Sequence, residues 1–440
     1  MSGGGGGAGS GGSSATGGSG GTSTIPDAAV DTVDAPPPPP SRGPTPATAG
    51  HNFPFPQNRE NKLGGCIFPK LYRNEDVQAA YTQWKNDTVT SDGANGFRRV
   101  KRPKEPGLEA NSTVSEGIAY GMLMAVYMDD QTLFDDLWQY EQKWLDGPTG
   151  LMNWYINAAG TNLGANPSGA GPATDADEDM AFALLMADKQ WGGKGKLGKN
   201  YLDFAKSQMS AVWNNEIYNF VYVRAGPWAN DSNLNLSYFA PAYYKVFATI
   251  DQTPTSNWTK VADTMYNVLN ASLNASNGNT NNGLVPAWCD SAGKPNGQAY
   301  GSTGGASPTN YQYDSCRTPF RIALDYCWNA DTRAQTYLAK TSSFFSGIGA
   351  TNIVDGYALN GTPQPQEQSK AGNEKIQSAS FVGPAGVGAM SSSAYQSFVN
   401  DAYGVLVTGK ALVGGTYYDD SWMAMSLLMM SANFLNYLSP

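Results

Sequence analysis

From about residue 60 onward, apolar residues recur at spacings of three and four, which marks one face of an α-helix. The pattern holds over 74–87, 114–128, 131–145, 176–191, 198–214, 237–250, 256–272, 311–328, 332–348, 393–407 and 419–438. Eleven such segments of ordinary helix length leave little chain for an extended sheet. Stretches rich in Gly, Asn, Pro and Ser separate them, notably 146–174, 273–310 and 349–391, and long loops in a compact domain usually carry function. Short strand-like pieces such as Phe220-Val221-Tyr222-Val223 lie in these connections. No shift of composition divides the chain beyond residue 50. The pattern predicts one all-α domain over 51–440, built of helical hairpins that stack and close into a ring.

Residues 1–50 behave differently. A Gly/Ser run leads to Pro36–Pro40, and the block holds none of the 11 Trp, 24 Tyr and 16 Phe of the chain. It cannot bury enough apolar surface to offset its ordering entropy. It reads as a flexible tether that stiffens at the proline run. No stretch of 18 apolar residues is present, so no transmembrane helix is expected. The chain starts MSGGGGG, without the basic and then apolar stretch of a signal peptide. A tether before an aromatic-rich domain nevertheless suits an exported protein, extracellular, cell-surface or periplasmic. The expectation is that a natural signal was removed and that Met1 replaced its last or following residue; in a lipoprotein that residue is the lipidated cysteine.

Acids outnumber bases 37 to 28, for a net charge of -9, so a nucleic-acid partner is not expected. The only histidine is His51, beside the tether. One histidine excludes a Ser-His-Asp or Cys-His relay within the chain and an H-E-x-x-H zinc site. Proton transfer then falls to carboxyl groups. Cys66, Cys289, Cys316 and Cys327 show no C-x-x-C spacing, so no structural zinc is expected. Buried free thiols are the plain reading, with one or two bridges as the alternative.

Three acidic constellations stand out. In Thr113-Val114-Ser115-Glu116-Gly117-Ile118-Ala119-Tyr120-Gly121-Met122, Glu116 opens a helix that is otherwise apolar, and burial there would raise its pKa and keep it protonated. The plain alternative is a first-turn acid favoured by the helix dipole. In Pro172-Ala173-Thr174-Asp175-Ala176-Asp177-Glu178-Asp179, four acids precede an apolar helix. Asp175 as N-cap and Glu178 as a capping-box partner explain two of them. The spacing lacks the Gly and distal Glu of an EF-hand, so calcium is not expected. In Asn310-Tyr311-Gln312-Tyr313-Asp314-Ser315-Cys316-Arg317-Thr318-Pro319, a helical course would make Asp314 and Arg317 neighbours at i, i+3, with the guanidinium lowering the Asp314 pKa. A structural ion pair is the alternative, and Pro319 would interrupt the helix just beyond. One acid set to stay protonated and another set to stay charged is the logic of glycosidic bond hydrolysis by two carboxyls. Trp154, Tyr155, Trp228, Tyr238, Tyr417 and Tyr418 sit in or beside polar stretches. Each offers a flat face to a pyranose ring, although singly such residues are more often core.

Together these motifs resemble the family 8 glycoside hydrolases. Ala173-Thr174-Asp175-Ala176-Asp177, followed by Met180-Ala181, Ala183-Leu184-Leu185, Ala187 and Trp191, is similar to that family's signature throughout. Further similarity runs through Leu151-Met152-Asn153-Trp154, Ser237-Tyr238-Phe239-Ala240-Pro241 and Phe381-Val382-Gly383-Pro384, and it covers about residues 52–438. The resemblance implies an (α/α)6 barrel with long loops that form a substrate groove across one end, and no metal or organic cofactor. It places the general acid on Glu116, the base on Asp314 and a third carboxylate, in contact with the sugar, on Asp175. It implies inversion, with the acid and base ~6.5–9.5 Å apart. Trp154, Trp228 and Tyr238 match groove positions, Tyr313 and Arg317 would orient Asp314, and Tyr417 adds a further substrate contact. The favoured substrate is β-1,4-glucan, cellulose or mixed-linkage, cut internally by a monomeric enzyme. Xylan and chitosan remain alternatives, and a non-catalytic glucan-binding scaffold or a polysaccharide lyase on a similar barrel are the rival readings.

Overall fold

The structure is a computed structural model that describes residues 43–103, 108–253, 256–296, 307–365, 378–409 and 417–439. Gly43–Pro440 forms a compact unit. The tether expected over 1–50 lies outside the described residues as far as residue 42. Residues 43–50 belong to the compact unit, where the Thr45 N–H donates to Pro56 O at 2.8 Å and Thr48 pairs with His51.

Among the described residues there are twelve α-helices: α1 (Asn74–Thr88), α2 (Ser115–Tyr127), α3 (Gln131–Glu141), α4 (Thr174–Gln190), α5 (Tyr201–Glu216), α6 (Pro241–Ile250), α7 (Trp258–Ser272), α8 (Thr318–Asn329), α9 (Thr332–Ile348), α10 (Ala379–Ala389), α11 (Gln396–Val407) and α12 (Tyr417–Met430). The even-numbered helices close a ring, α2 on α4, then α6, α8, α10, α12 and back to α2. Each odd-numbered helix backs one of them: α3 on α2, α5 on α4, α7 on α6, α9 on α8, α11 on α10 and α1 on α12. This is the expected (α/α)6 barrel. Burial follows the ring. Inner α2 is buried along its length apart from Glu116, and inner α10 is buried at every residue. Outer α1 buries a single stripe, Val77, Ala80, Tyr81, Trp84 and Thr88, as an amphipathic helix on a core must.

The connections hold short antiparallel ribbons: β1 (Val89–Thr90) with β2 (Arg99–Val100), β3 (Thr113–Val114) with β4 (Tyr155–Ile156), β5 (Ile217–Tyr218) with β6 (Tyr222–Val223), and β7 (Leu234–Asn235) with β8 (Trp288–Cys289). Of the strand-like run Phe220–Val223, only the last two residues are strand; Phe220 sits exposed at the hairpin tip with φ +60°.

Two expectations change. The stretch 349–391, read as a loop, contains α10, whose run Ala-Ser-Phe-Val-Gly-Pro-Ala-Gly-Val-Gly-Ala argues against a helix by intrinsic propensity. Packing overrides it. A Cβ on Gly386 would run into Met430 Cε and lie 2.7 Å from Ala402 Cβ, so glycine is what lets α10 pass between α11 and α12. In 311–328 the helix begins only at Thr318, and Pro319 lies in its first turn, where a missing N–H breaks no bond. Proline therefore starts α8 instead of interrupting it.

The cysteines are corrected in part. Cys66 and Cys327 form a disulfide that joins the segment before α1 to α8, while Cys289 and Cys316 are buried free thiols. The bridge spans a sequence separation of 261, and cross-linking so long a loop removes roughly 5–6 kcal/mol of chain entropy from the unfolded state. Replacing both Cys66 and Cys327 by Ala is expected to lower the guanidinium chloride midpoint correspondingly. An unchanged midpoint would show that the bridge contributes nothing to stability.

Candidate active site

The inner helices begin at one end of the barrel, and the predicted site residues gather there. Glu116 lies in the first turn of α2, directly after β3. β3 pairs with β4 in the register Val114↔Tyr155, and the Ser115 N–H donates to Trp154 O at 2.9 Å. This ribbon sets Trp154 beside the start of α2, and the indole N–H, donated to Ser168 O at 2.9 Å, fixes its ring. Asp175 is the second residue of α4. The N-cap is Ala173, so Asp175 is not the cap; its Oδ1 accepts from the Ala176 N–H at 3.0 Å. Thr174 Oγ1 donates to Arg224 O at 2.7 Å, which brings the segment leading to Trp228 against the start of α4. Trp228 is 51% exposed.

Arg317 joins these parts. It is 1% exposed, and a buried guanidinium requires acceptors for its donors. Its Nη1 donates to Glu116 Oε2 at 2.6 Å, Asp175 Oδ2 at 2.7 Å and Tyr120 OH at 2.9 Å. Its Nε and Nη2 reach Ser237 Oγ at 3.0 and 2.7 Å. The guanidinium also lies over the Tyr238 ring, 5.2 Å from its centroid. Tyr417, in the first turn of α12, donates its hydroxyl to Glu116 Oε1. Glu116, Trp154, Tyr238, Tyr313 and Asp314 are all partly exposed, so the cluster opens to solvent.

The expected partners of Asp314 are corrected. Residues 312–317 form turns and not helix, so the i, i+3 relation to Arg317 is lost. Tyr313 directs its hydroxyl to Asp355 Oδ2 at 3.0 Å. Asp314 Oδ2 instead accepts from Trp288 Nε1 at 3.2 Å and Gln312 Nε2 at 3.3 Å. Its pKa is raised by burial, against the opposing charge of Arg317 and the hydrogen bonds of Trp288 and Gln312. The lowered value expected from the sequence fails because desolvation outweighs a guanidinium already engaged by two other carboxyls. Glu116 behaves as expected: burial lifts its pKa to about 7, Arg317 opposes, and the charge of Asp175 adds to the rise.

Trp288, Asn235 and Ser237 were missed as site residues. Trp288 lies in the Gly/Asn-rich stretch 273–310, the same signal that marks Trp154 and Trp228. Asn235 Oδ1 accepts from Ser237 N and Oγ at 2.9 and 2.7 Å and so sets the hydroxyl that receives Arg317. His51 sits beyond the far end of α2, where its Nδ1 meets Asp129 Oδ1 at 2.7 Å; that end lies about 17 Å along the helix from Glu116 at 1.5 Å per residue. Among the described residues no group of three His, Cys, Asp or Glu side chains is arranged to hold a metal ion, and no helix is long and apolar enough to cross a membrane.

The (α/α)6 barrel thus gathers partly buried carboxyls and partly exposed aromatics at one end. The profile described as Glycosyl hydrolases family 8 matches residues 71–432, and the chain belongs to that family. It is 37% identical to Endoglucanase 2 of Ruminiclostridium josui over 89% of this chain and 79% of that protein. It is 38% identical to Endoglucanase A of Acetivibrio thermocellus over 82% of this chain and 70% of that one. Among solved structures, a beta-1,3-1,4-glucanase from Paenibacillus sp. X4 superposes with a TM-score of 0.74 at 30% identity, covering 86% of this chain and 98% of its own.

The remaining acids of the second motif are buried too. Asp179 Oδ2 pairs with Arg321 Nη2 at 2.8 Å, and Asp177 Oδ1 accepts from Gln208 Nε2 at 3.2 Å. Burial drives the pKa of Glu141 and of Glu216 to about 8, and that of Asp177 upward, the last helped by the charges of Glu216 and Glu141. Because these folded-state values lie above the unfolded ones, the folded protein holds more protons than the unfolded chain between about pH 4.5 and 8. Stability therefore falls as pH rises through that window. Thermal unfolding is expected at a lower temperature at pH 8.5 than at pH 5, and Glu141→Gln is expected to narrow the difference. A variant that loses as much stability as the wild type over that range would show that Glu141 is not held neutral.

Proposed function

We propose that the chain is an inverting, endo-acting glycoside hydrolase that cleaves β-1,4-glucan, either cellulose or mixed-linkage β-glucan. The observation that carries this reading is the pairing of Glu116, kept proton-loaded near neutrality, with Asp314, a separate carboxyl held by two donors, at the open end of the barrel. Glu116 gives its proton to the glycosidic oxygen as the bond to the anomeric carbon breaks. Asp314 takes a proton from the water that attacks that carbon from the opposite face. Asp175, fixed by Arg317, holds the distorted sugar and its developing positive charge. Trp154, Trp228 and Tyr238 supply flat faces for the sugar rings, and the Tyr417 hydroxyl orients Glu116. The endoglucanase relatives support the glucan preference over xylan or chitosan. The Cys66–Cys327 bridge supports work in an oxidising compartment outside the cytoplasm.

Glu116→Gln and Asp314→Asn are each expected to lower turnover of carboxymethylcellulose by about 10²–10⁴-fold, the usual contribution of a positioned acid or base. NMR of the first-formed product is expected to show the inverted anomer. In the wild type, kcat/KM should fall as pH rises past about 7, because the acid must be protonated and its pKa lies there. Full activity in either variant, or a retained anomer, would refute the assignment. A panel of purified β-glucans, xylan and chitosan decides the substrate.

A further inference from the structure

Both donors to Asp314 converge on one oxygen. Trp288 Nε1 lies 3.2 Å and Gln312 Nε2 3.3 Å from Oδ2, while Oδ1 has no hydrogen-bond partner among the described residues. The orientation of the Gln312 amide is dictated, since its Oε1 accepts the Asp314 N–H at 2.8 Å and only its NH₂ remains for the carboxyl. Trp288 is held just as firmly. It is 5% exposed, it stands opposite Asn235 in the β7–β8 ribbon, and its backbone N–H donates to Pro308 O at 3.0 Å. An indole N–H donates and never accepts, so it can hold an ionised carboxylate but cannot share in taking a proton.

We propose that Trp288 is a positioning residue for the base, fixing Oδ2 of Asp314 together with Gln312 and leaving Oδ1 as the atom that receives the proton of the attacking water. The inference rests on the assignment of Asp314 as base. In the step, the water O–H bond breaks toward Oδ1 while the water oxygen bonds to the anomeric carbon. The departing glycosidic oxygen keeps the electron pair of its broken bond and takes the proton of Glu116. The Trp288 ring also lies 6.3 Å from that of Trp228 and 6.5 Å from that of Tyr238. The side chain that aims the base is thereby packed into the aromatic wall proposed to carry the sugar, and the attacking geometry and the substrate register share one support.

Trp288→Phe keeps a buried ring and removes the N–H. It is expected to lower kcat about tenfold with KM within about twofold, the scale of one hydrogen bond to a charged group. It should also move the acidic limb of the kcat/KM profile upward by about half a pH unit or more, because donors to the ionised form lower a carboxyl's pKa. Gln312→Leu is expected to shift the limb in the same direction, and it decides the matter if Trp288→Phe fails to fold by circular dichroism. Trp228→Ala serves as the comparison, raising KM while the limb stays in place. A wild-type kcat and acidic limb in the folded variants of Trp288 and Gln312, alongside an inactive Asp314→Asn, would overturn the positioning role and leave the base assignment standing. An Asp314→Asn enzyme that retains activity and its acidic limb would overturn the base assignment, and this inference with it.

Discussion

Arg317 is the interaction on which the site depends. Its guanidinium belongs to the start of α8, yet it bonds to Glu116 and Tyr120 of α2, to Asp175 of α4 and to Ser237 just before α6. Four successive inner elements of the ring are thus tied at one end by a single planar group. A lysine could not replace it, because a point charge lacks the fork that reaches Ser237 and the carboxyls at once. The tie also explains why two acids can stand together in the first turns of neighbouring helices. The helix N-termini favour negative charge, and the guanidinium supplies the remaining attraction at short range.

The β7–β8 ribbon is the second organiser, and it works through both of its strands. Asn235 of β7 orients Ser237 and through it Arg317, while Trp288 of β8 reaches Asp314. The supports of Glu116 and of Asp314 therefore come from one two-residue ladder, so a shift of its register would disturb both carboxyls together. The β3–β4 ribbon does similar work for Glu116 and Trp154. Long loops in this fold are not slack connections; their short ribbons set the positions of groups that the barrel helices alone would leave free.

Much of this was legible in the sequence because the relevant physics is local. Helical period marked eleven of the twelve helices among the described residues, and the apolar run after Glu116 correctly implied a desolvated acid. The failures share a cause, which is that tertiary contact decided the outcome. α10 carries three glycines and an internal proline, and only the closeness of Met430, Ala402 and Ser426 makes that composition intelligible. The Asp314–Arg317 pairing rested on an assumed helical spacing, whereas the chain there turns and sends the guanidinium inward. The hydrogen bond of Trp288 to Asp314 joins residues 26 positions apart across a stretch with no periodicity, and the Cys66–Cys327 bridge joins still more distant ones.

The crowding of acids follows one electrostatic rule. Arg321 faces Asp179, and Arg317 faces both Glu116 and Asp175. A single buried positive charge can compensate one carboxylate well, but two carboxylates on one guanidinium repel each other across a site of low polarity. Burial pushes the pKa of Glu116 upward, and the charge of Asp175 adds to the effect. Among the described residues Glu141, Glu216 and Asp177 make no ion pair, and burial drives them the same way, with the charge of Arg224 opposing at Glu216. The shortage of positive charge around α4 is therefore not a defect of packing; together with burial it holds the pKa of Glu141, Glu216 and Asp177 above the usual carboxylate range.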